Sequence, residues 1–92
     1  MVVHCRVVPD RGDRQVGFVV ARSVGGAVVR NRVRRRLRGV VVDLVDSLPQ
    51  GADVVVRALP PAAEASFSRL AEDYRSALAT VSRRATERVK RP

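Results

Sequence analysis

An apolar stripe runs through the middle of the chain, over residues 28–48. Apolar side chains recur there every three or four residues, at Val29, Val33, Leu37, Val40, Leu44 and Leu48. That spacing places them on one face of a helix, because about 3.6 residues make one turn. Pro49-Gln50-Gly51 then stops the helix. The stripe therefore predicts a helix over residues 28–48 with one buried side.

Three valine-rich segments predict strands around this helix. Residues 2–8 alternate between two faces, and residues 16–22 and 53–59 have the same β-branched character. Residues 9–13, Pro-Asp-Arg-Gly-Asp, are typical of a turn, so we expect the first two strands to pair as a hairpin. A second apolar stripe follows Pro60-Pro61 and predicts another helix; its members are Phe67, Leu70, Tyr74, Leu78, Val81 and Val89.

The order of these elements indicates the fold class. Strand, strand, helix, strand, helix is typical of a small α+β two-layer sandwich, and 92 residues form one domain over 1–92. We expect the basic end, residues 83–92, to fray. The single cysteine, Cys5, allows no internal disulfide, and no apolar run is long enough to span a membrane, so we predict a cytoplasmic protein.

Positive charge is concentrated in the first part of the chain. The net charge is +9, and 17 of the 18 basic residues are arginines. Residues 1–38 hold ten arginines and two aspartates, whereas residues 39–92 hold eight basic and seven acidic side chains. A charge that served only solubility would be spread more evenly. The asymmetry predicts a polyanionic partner, and arginine, which pairs with phosphate through two N–H groups, favours a nucleic acid.

Six arginines lie within residues 30–38. On a helix, Asn31, Arg34, Arg35 and Arg38 lie opposite the apolar stripe, while Arg30, Arg32 and Arg36 flank it. Such arginines repel one another, and no acidic residue between Asp13 and Asp43 offsets them. We therefore predict a nucleic-acid-binding face rather than a merely solvated one. Arg22 and Gly25-Gly26 before the helix are further candidates for a phosphate contact, although a plain strand-to-helix turn explains the glycines equally well.

Residues 25–38 follow a long ungapped pattern, Gly-x-Ala-Val-x-Arg-Asn-Arg-x-Lys/Arg-Arg-x-x-Arg, after a predicted strand. Its fixed positions are met by Gly25, Ala27, Val28, Arg30, Asn31, Arg32, Arg34, Arg35 and Arg38. In this the chain closely resembles the protein component of bacterial ribonuclease P. The third strand and the final amphipathic helix fit the same family, so the resemblance extends over essentially the whole chain.

The resemblance implies a fold, partners and a role. It implies a left-handed crossover around the Arg-Asn-Arg helix, and a helix before the first strand that these 92 residues lack. It implies a subunit of an endoribonuclease whose RNA, holding most of the Mg²⁺, removes the 5′ leader of precursor tRNA. The partners would be ribonuclease P RNA and precursor tRNA, with no catalytic side chain and no cofactor on this chain alone. The RNA-binding candidates are Arg22, Arg30, Asn31, Arg32, Arg34, Arg35 and Arg38.

The leader would lie in a cleft beside the sheet, for which His4, Arg6 and Phe18 are the candidates. His4 and Arg6 share a strand face, although an ordinary surface role for His4 and a core role for Phe18 are the alternatives. His4 and Cys5 are the only residues of their kinds and point to opposite faces, which argues against a zinc site, and no Cys-His constellation is possible beyond these two.

Other functions compatible with the charge are also open. A small structural RNA-binding protein of the ribosomal type shares this size and basicity. DNA binding is less favoured, because the order of elements is not that of a helix-turn-helix. Membrane attachment ranks last, because the core needs the apolar stripe of the basic helix.

Overall fold

The computed structural model describes residues 1–90 of the chain, without the side chains of residues 89 and 90. Its strands are β1 (Val2–Val7), β2 (Gln15–Val20) and β3 (Ala52–Ala58), and its helices are α1 (Ala27–Leu44) and α2 (Phe67–Lys90). Short 3₁₀ turns lie at Arg22–Val24, Val45–Ser47 and Pro60–Ala63. The predicted order of elements and the α+β class are confirmed.

The three strands form one sheet in the order β1-β3-β2. β3 pairs antiparallel with β1 and parallel with β2, so the predicted hairpin of the first two strands is wrong. The seven residues between β1 and β2 explain this, because they are long enough to cross two strand spacings, about 10 Å. The gap is filled by β3, whose Ala52, Val54, Val56 and Ala58 are all buried.

Both helices cover one face of this sheet. α2 lies against β1, and α1 lies against β2 and α2. The side chains between the layers form one core, whose largest fully buried members are Tyr74, Leu37, Leu70, Val33, Val40, Val54 and Val56. On the opposite face of the sheet Val2, Val19 and Val55 are exposed. The two-layer arrangement therefore leaves one sheet face open.

The helix ends differ from the sequence-based expectation. α1 ends at Leu44 and continues as the 3₁₀ turn Val45–Ser47, one turn short of the predicted Leu48. The hydroxyl of Ser47 donates to the carbonyl of Leu44 at 2.6 Å, which helps to tighten this last turn. Leu48 still packs in the core, at 2% exposure.

α2 is longer than we expected. It continues through Lys90, so the expected fraying from residue 83 is not observed over residues 83–90. The rest of the predicted tail, residues 91–92, lies outside the described residues, as does the predicted place of the Val89 side chain on the apolar face. Ala85 is buried, so this part of α2 still packs against the sheet layer.

We expect Tyr74→Phe to raise the free energy of unfolding by about 1 kcal/mol, since an unsatisfied buried hydroxyl destabilises the folded state by that order. Tyr74 is 0% exposed, and its hydroxyl has no hydrogen-bond partner among the described residues. Burial accordingly raises the pKa of Tyr74. Urea unfolding measures the difference. Tyr74→Leu, which also removes ring volume, should destabilise the protein, and a loss of stability in Tyr74→Phe would contradict the expectation.

Candidate nucleic-acid interface

α1 carries the densest positive surface of the molecule. Val33, Leu37 and Val40 are at most 1% exposed and anchor the helix to the core. Its other side points away from the sheet, with Asn31, Arg35 and Arg38 exposed and Arg30 and Arg34 half-buried beside them. We call Arg30, Asn31, Arg34, Arg35 and Arg38 the arginine face. Five of the predicted RNA-binding residues thus lie together on one outward surface of α1.

The charges of the arginine face are not neutralised within the described part of the chain. Ion pairs there join Arg6 and Arg11 to Asp53, Arg11 to Asp13, and Arg69 to Asp73. None of these pairs involves an arginine of α1 or Arg22. The one side-chain bond within the arginine face runs from Arg34 to the amide oxygen of Asn31, at 3.2 Å. The face therefore retains a field that attracts polyanions.

The entry to α1 adds free N–H groups to this surface. Gly26 caps the helix without a side-chain hydrogen bond, and the first turn contains no acidic residue. The N–H of Arg30 bonds to the carbonyl of Gly26 at 2.9 Å, which leaves the preceding N–H groups without helical partners. A larger residue at position 25 would clash, because a Cβ on Gly25 would come within 2.9 Å of the Val29 side chain. Arg22 lies exposed on the 3₁₀ turn just before.

Arg32 and Arg36 behave differently from the arginine face. A guanidinium N–H of Arg32 donates to the carbonyl of Ala63 at 3.1 Å, and one of Arg36 donates to that of Ala65 at 2.9 Å. Both side chains are partly buried. The sequence grouped Arg32 with the RNA-binding candidates, and the structure turns it towards the chain's own backbone.

The open sheet face forms a shallow depression of about 450 Å³. His4 and Arg6 of β1 line it, next to Val55 and Asp53 of β3, which are their partners in the sheet. Phe18 does not join them. It pairs with Val56 and packs against the core on the helix-covered face. The grouping of Phe18 with His4 and Arg6 is therefore wrong in geometry, because alternation along β2 turns Phe18 inwards.

Asp53 is the acidic centre of this open face. It accepts hydrogen bonds from Arg6 at 3.0 Å and from Arg11 at 2.5 Å. The bond from Arg11 and then that from Arg6 hold the pKa of Asp53 below its usual value. Arg11 also donates to the carbonyl of Gly51 at 3.1 Å, so it ties the loop after β1 to the start of β3.

This pairing predicts a pH dependence of stability. Because the folded-state pKa of Asp53 is lowered, its contribution is complete above the unfolded-state pKa of about 3.9 and is lost as the pH falls through the folded-state value. Urea midpoints measured from pH 7 down to strong acid should therefore show a deficit for Asp53→Asn at pH 7 that shrinks below about pH 4. Asp46→Asn, an exposed change, is the control. A deficit independent of pH would contradict the assignment.

Two arginines near the end of α2 belong to the basic end of the chain, for which the sequence favoured a solvated helix end over a weak RNA contact. Arg84 and Arg88 border a small cavity of about 180 Å³ with His4 and Cys5, at the free edge of β1. Their spacing of one helical turn, beside Val81 and Ala85, would have indicated a shared helix surface, but we expected this part of the chain to fray. They add positive charge beside His4 at the β1 edge of the sheet.

Two features are absent from the part of the chain that the structure describes. Neither helix within residues 1–90 has the length and apolarity to cross a bilayer. In the same part of the chain, no three His, Cys, Asp or Glu side chains come together as a possible metal site.

Comparison with known proteins finds relatives that belong to one family. The family description "Ribonuclease P" matches residues 1–82. The ribonuclease P protein component of Kocuria rhizophila is 59% identical over 84 residues, covering 91% of this chain and 74% of the relative. That of Beutenbergia cavernae is 48% identical over 85 residues, covering 92% and 71%.

Solved structures show the same fold. The RNase P protein of Staphylococcus aureus superposes with a TM-score of 0.71 at 22% identity, covering 85% of this chain and 71% of that one. The RNase P protein of Thermotoga maritima, solved with 1-(4-fluorophenyl)-2-thiourea, gives 0.68 at 26% identity, covering 89% and 76%. With the sequence matches over most of its length, this chain belongs to the ribonuclease P protein family.

Proposed function

We propose that this chain is the protein subunit of ribonuclease P and binds the catalytic RNA through the arginine face of α1. The observation that carries the proposal is a set of four arginines on one outward surface, none paired with a carboxylate within the described residues. Phosphate groups would supply the missing counter-charge. Arg22 and the uncapped start of α1 extend this surface by further donors.

The open sheet face is the proposed site for the 5′ leader of precursor tRNA. A single strand needs a groove with positive charge along its backbone. His4 and Arg6 line the depression, and Arg84 and Arg88 stand at its β1 edge. Phe18, on the other face of the sheet, has no part in this site. The leader and the catalytic RNA would thus be held on different surfaces of one small domain.

Hydrolysis of the leader is assigned to the RNA subunit and its Mg²⁺ ions. This assignment follows the resemblance to ribonuclease P protein components, which implies no catalytic side chain on this chain. The role proposed for the protein is to bind and orient two RNA molecules with respect to each other.

Competition binding tests the choice of RNA. The labelled protein is bound to a bacterial ribonuclease P RNA and challenged with a ribosomal RNA fragment of equal length at constant salt, because non-specific phosphate binding depends strongly on salt. We expect the ribosomal fragment to compete far more weakly than unlabelled ribonuclease P RNA. Equal competition by the two RNAs would support the general structural RNA-binding function instead.

A further inference from the structure

The flank of α1 that faces α2 is occupied by hydrogen bonds to the protein's own backbone. We call residues 60–66, which include the 3₁₀ turn Pro60–Ala63 and lead into α2, the 60–66 segment. Arg32 donates to the carbonyl of Ala63 at 3.1 Å and Arg36 to that of Ala65 at 2.9 Å. These arginines are four residues apart and therefore lie one above the other on one side of α1.

The 60–66 segment leaves these two carbonyls available. Its own backbone bonds run from Glu64 N–H to the carbonyl of Pro61 and from Ala65 N–H to that of Ala62. A bond from a charged guanidinium to a carbonyl is stronger than one between neutral groups. Each arginine thus satisfies a carbonyl that these backbone bonds leave open.

The same flank of α1 is packed closely against the start of α2. A Cβ on Gly39, which follows Arg32 and Arg36 along this flank, would come within 3.0 Å of the ring of Phe67. The hydroxyl of Ser66 accepts the N–H of Arg69 at 3.1 Å and so fixes the first turn of α2. The 60–66 segment also contacts the turn that carries Arg22. The 60–66 segment therefore contacts α1, leads into α2 and touches the turn before the arginine face, so a shift of the segment would move all three.

We propose that Arg32 and Arg36 are positioning residues, which clamp α1 to the 60–66 segment and hold the arginine face in place, and that they do not contact RNA phosphates. This inference rests on the proposed binding of RNA by the arginine face. It gives Arg32 a different role from the neighbouring arginines that the sequence pattern predicts to bind RNA. Arg35, which lies opposite the apolar stripe and one turn from Arg32, is exposed and makes no side-chain hydrogen bond within the described residues.

The test compares Arg32→Gln with Arg35→Gln, which removes the same charge from the same helix. Affinity for ribonuclease P RNA is measured over a range of salt concentrations, and stability by urea unfolding. Arg35→Gln should reduce the slope of log affinity against log salt by about one, with an unchanged urea midpoint. Arg32→Gln should leave that slope within about half a unit of the original, lower the urea midpoint and weaken binding by about tenfold.

Rescue by Arg32→Lys separates positioning from a purely structural role. Lysine keeps the reach and the donor, so the urea midpoint should return close to the original value and the affinity to within about threefold of the original. Arg36→Gln and Arg36→Lys repeat the comparison at the second bond. Wild-type affinity in Arg32→Gln, measured where the variant is folded, overturns the inference, as does a full unit of lost slope. If Arg35→Gln changes neither slope nor affinity, the RNA-binding face itself is wrong and the positioning role fails with it.

Discussion

Replacing Arg34, Arg35 and Arg38 together by glutamine should weaken binding to ribonuclease P RNA by about a hundredfold, if each lost phosphate contact costs about 1 kcal/mol. The slope of log affinity against log salt should fall by about three. These side chains lie on the outward side of α1, away from the buried Val33 and Leu37. Their removal should leave the fold intact, and loss of like-charge repulsion should raise stability by a few tenths of a kcal/mol.

The control for this variant removes the same charge from another surface. Arg69, Arg75 and Arg83 are exposed on α2, and their joint replacement by glutamine also lowers the net charge by three. We expect a much smaller loss of affinity and of salt slope for this control, because general attraction alone is reduced. Equal losses in the two triple variants would show that overall charge, rather than the arginine face, determines RNA binding.

Gly51→Ala should lower the free energy of unfolding by about 3 kcal/mol, and the melting temperature by roughly 10–20 °C. Gly51 has a φ of 78°, a conformation that side chains with a Cβ disfavour. A Cβ at this position would also collide with the carbonyl of Val8 and lie 2.9 Å from that of Arg11. The backbone of Gly51 cannot shift easily, because both of its polar groups are hydrogen-bonded. Its carbonyl accepts the N–H of Val8 at 2.9 Å, and its N–H donates to the carbonyl of Asp13 at 3.1 Å.

Gly12→Ala is the matched control in the same loop region. A Cβ on Gly12 meets no atom within 4 Å. We expect its unfolding free energy to stay within about 0.5 kcal/mol of the original, as for most surface changes. Calorimetry or urea unfolding of both variants gives the comparison. Similar small effects of the two substitutions would mean that the loop between β1 and β2 is not held against Gly51 as described.

Local patterns in the sequence were enough to predict the elements and the arginine face. The three- and four-residue steps from Val29 to Leu44 define one buried side of a helix, and this necessarily places Arg35 and Arg38 on the other side. Alternation along β1 likewise placed His4 and Arg6 on one exposed face. Such periodicities depend on neighbours in the chain and need no knowledge of the rest of the fold.

Contacts between distant segments could not be predicted in this way. The hairpin prediction failed because nothing in residues 2–22 shows that β3, more than 30 residues later, inserts between the first two strands. The bonds of Arg32 and Arg36 were missed for a similar reason. A flanking arginine on an isolated helix looks free, and its carbonyl partners become visible only when the 60–66 segment packs beside it.

The most direct test of the central claim is cleavage of a precursor tRNA by a bacterial ribonuclease P RNA at low Mg²⁺, with and without this protein. We expect markedly faster removal of the 5′ leader when the protein is present, and loss of that gain when Arg34, Arg35 and Arg38 are replaced by glutamine. The same cleavage rate with and without the protein, together with no measurable binding to that RNA, would contradict it.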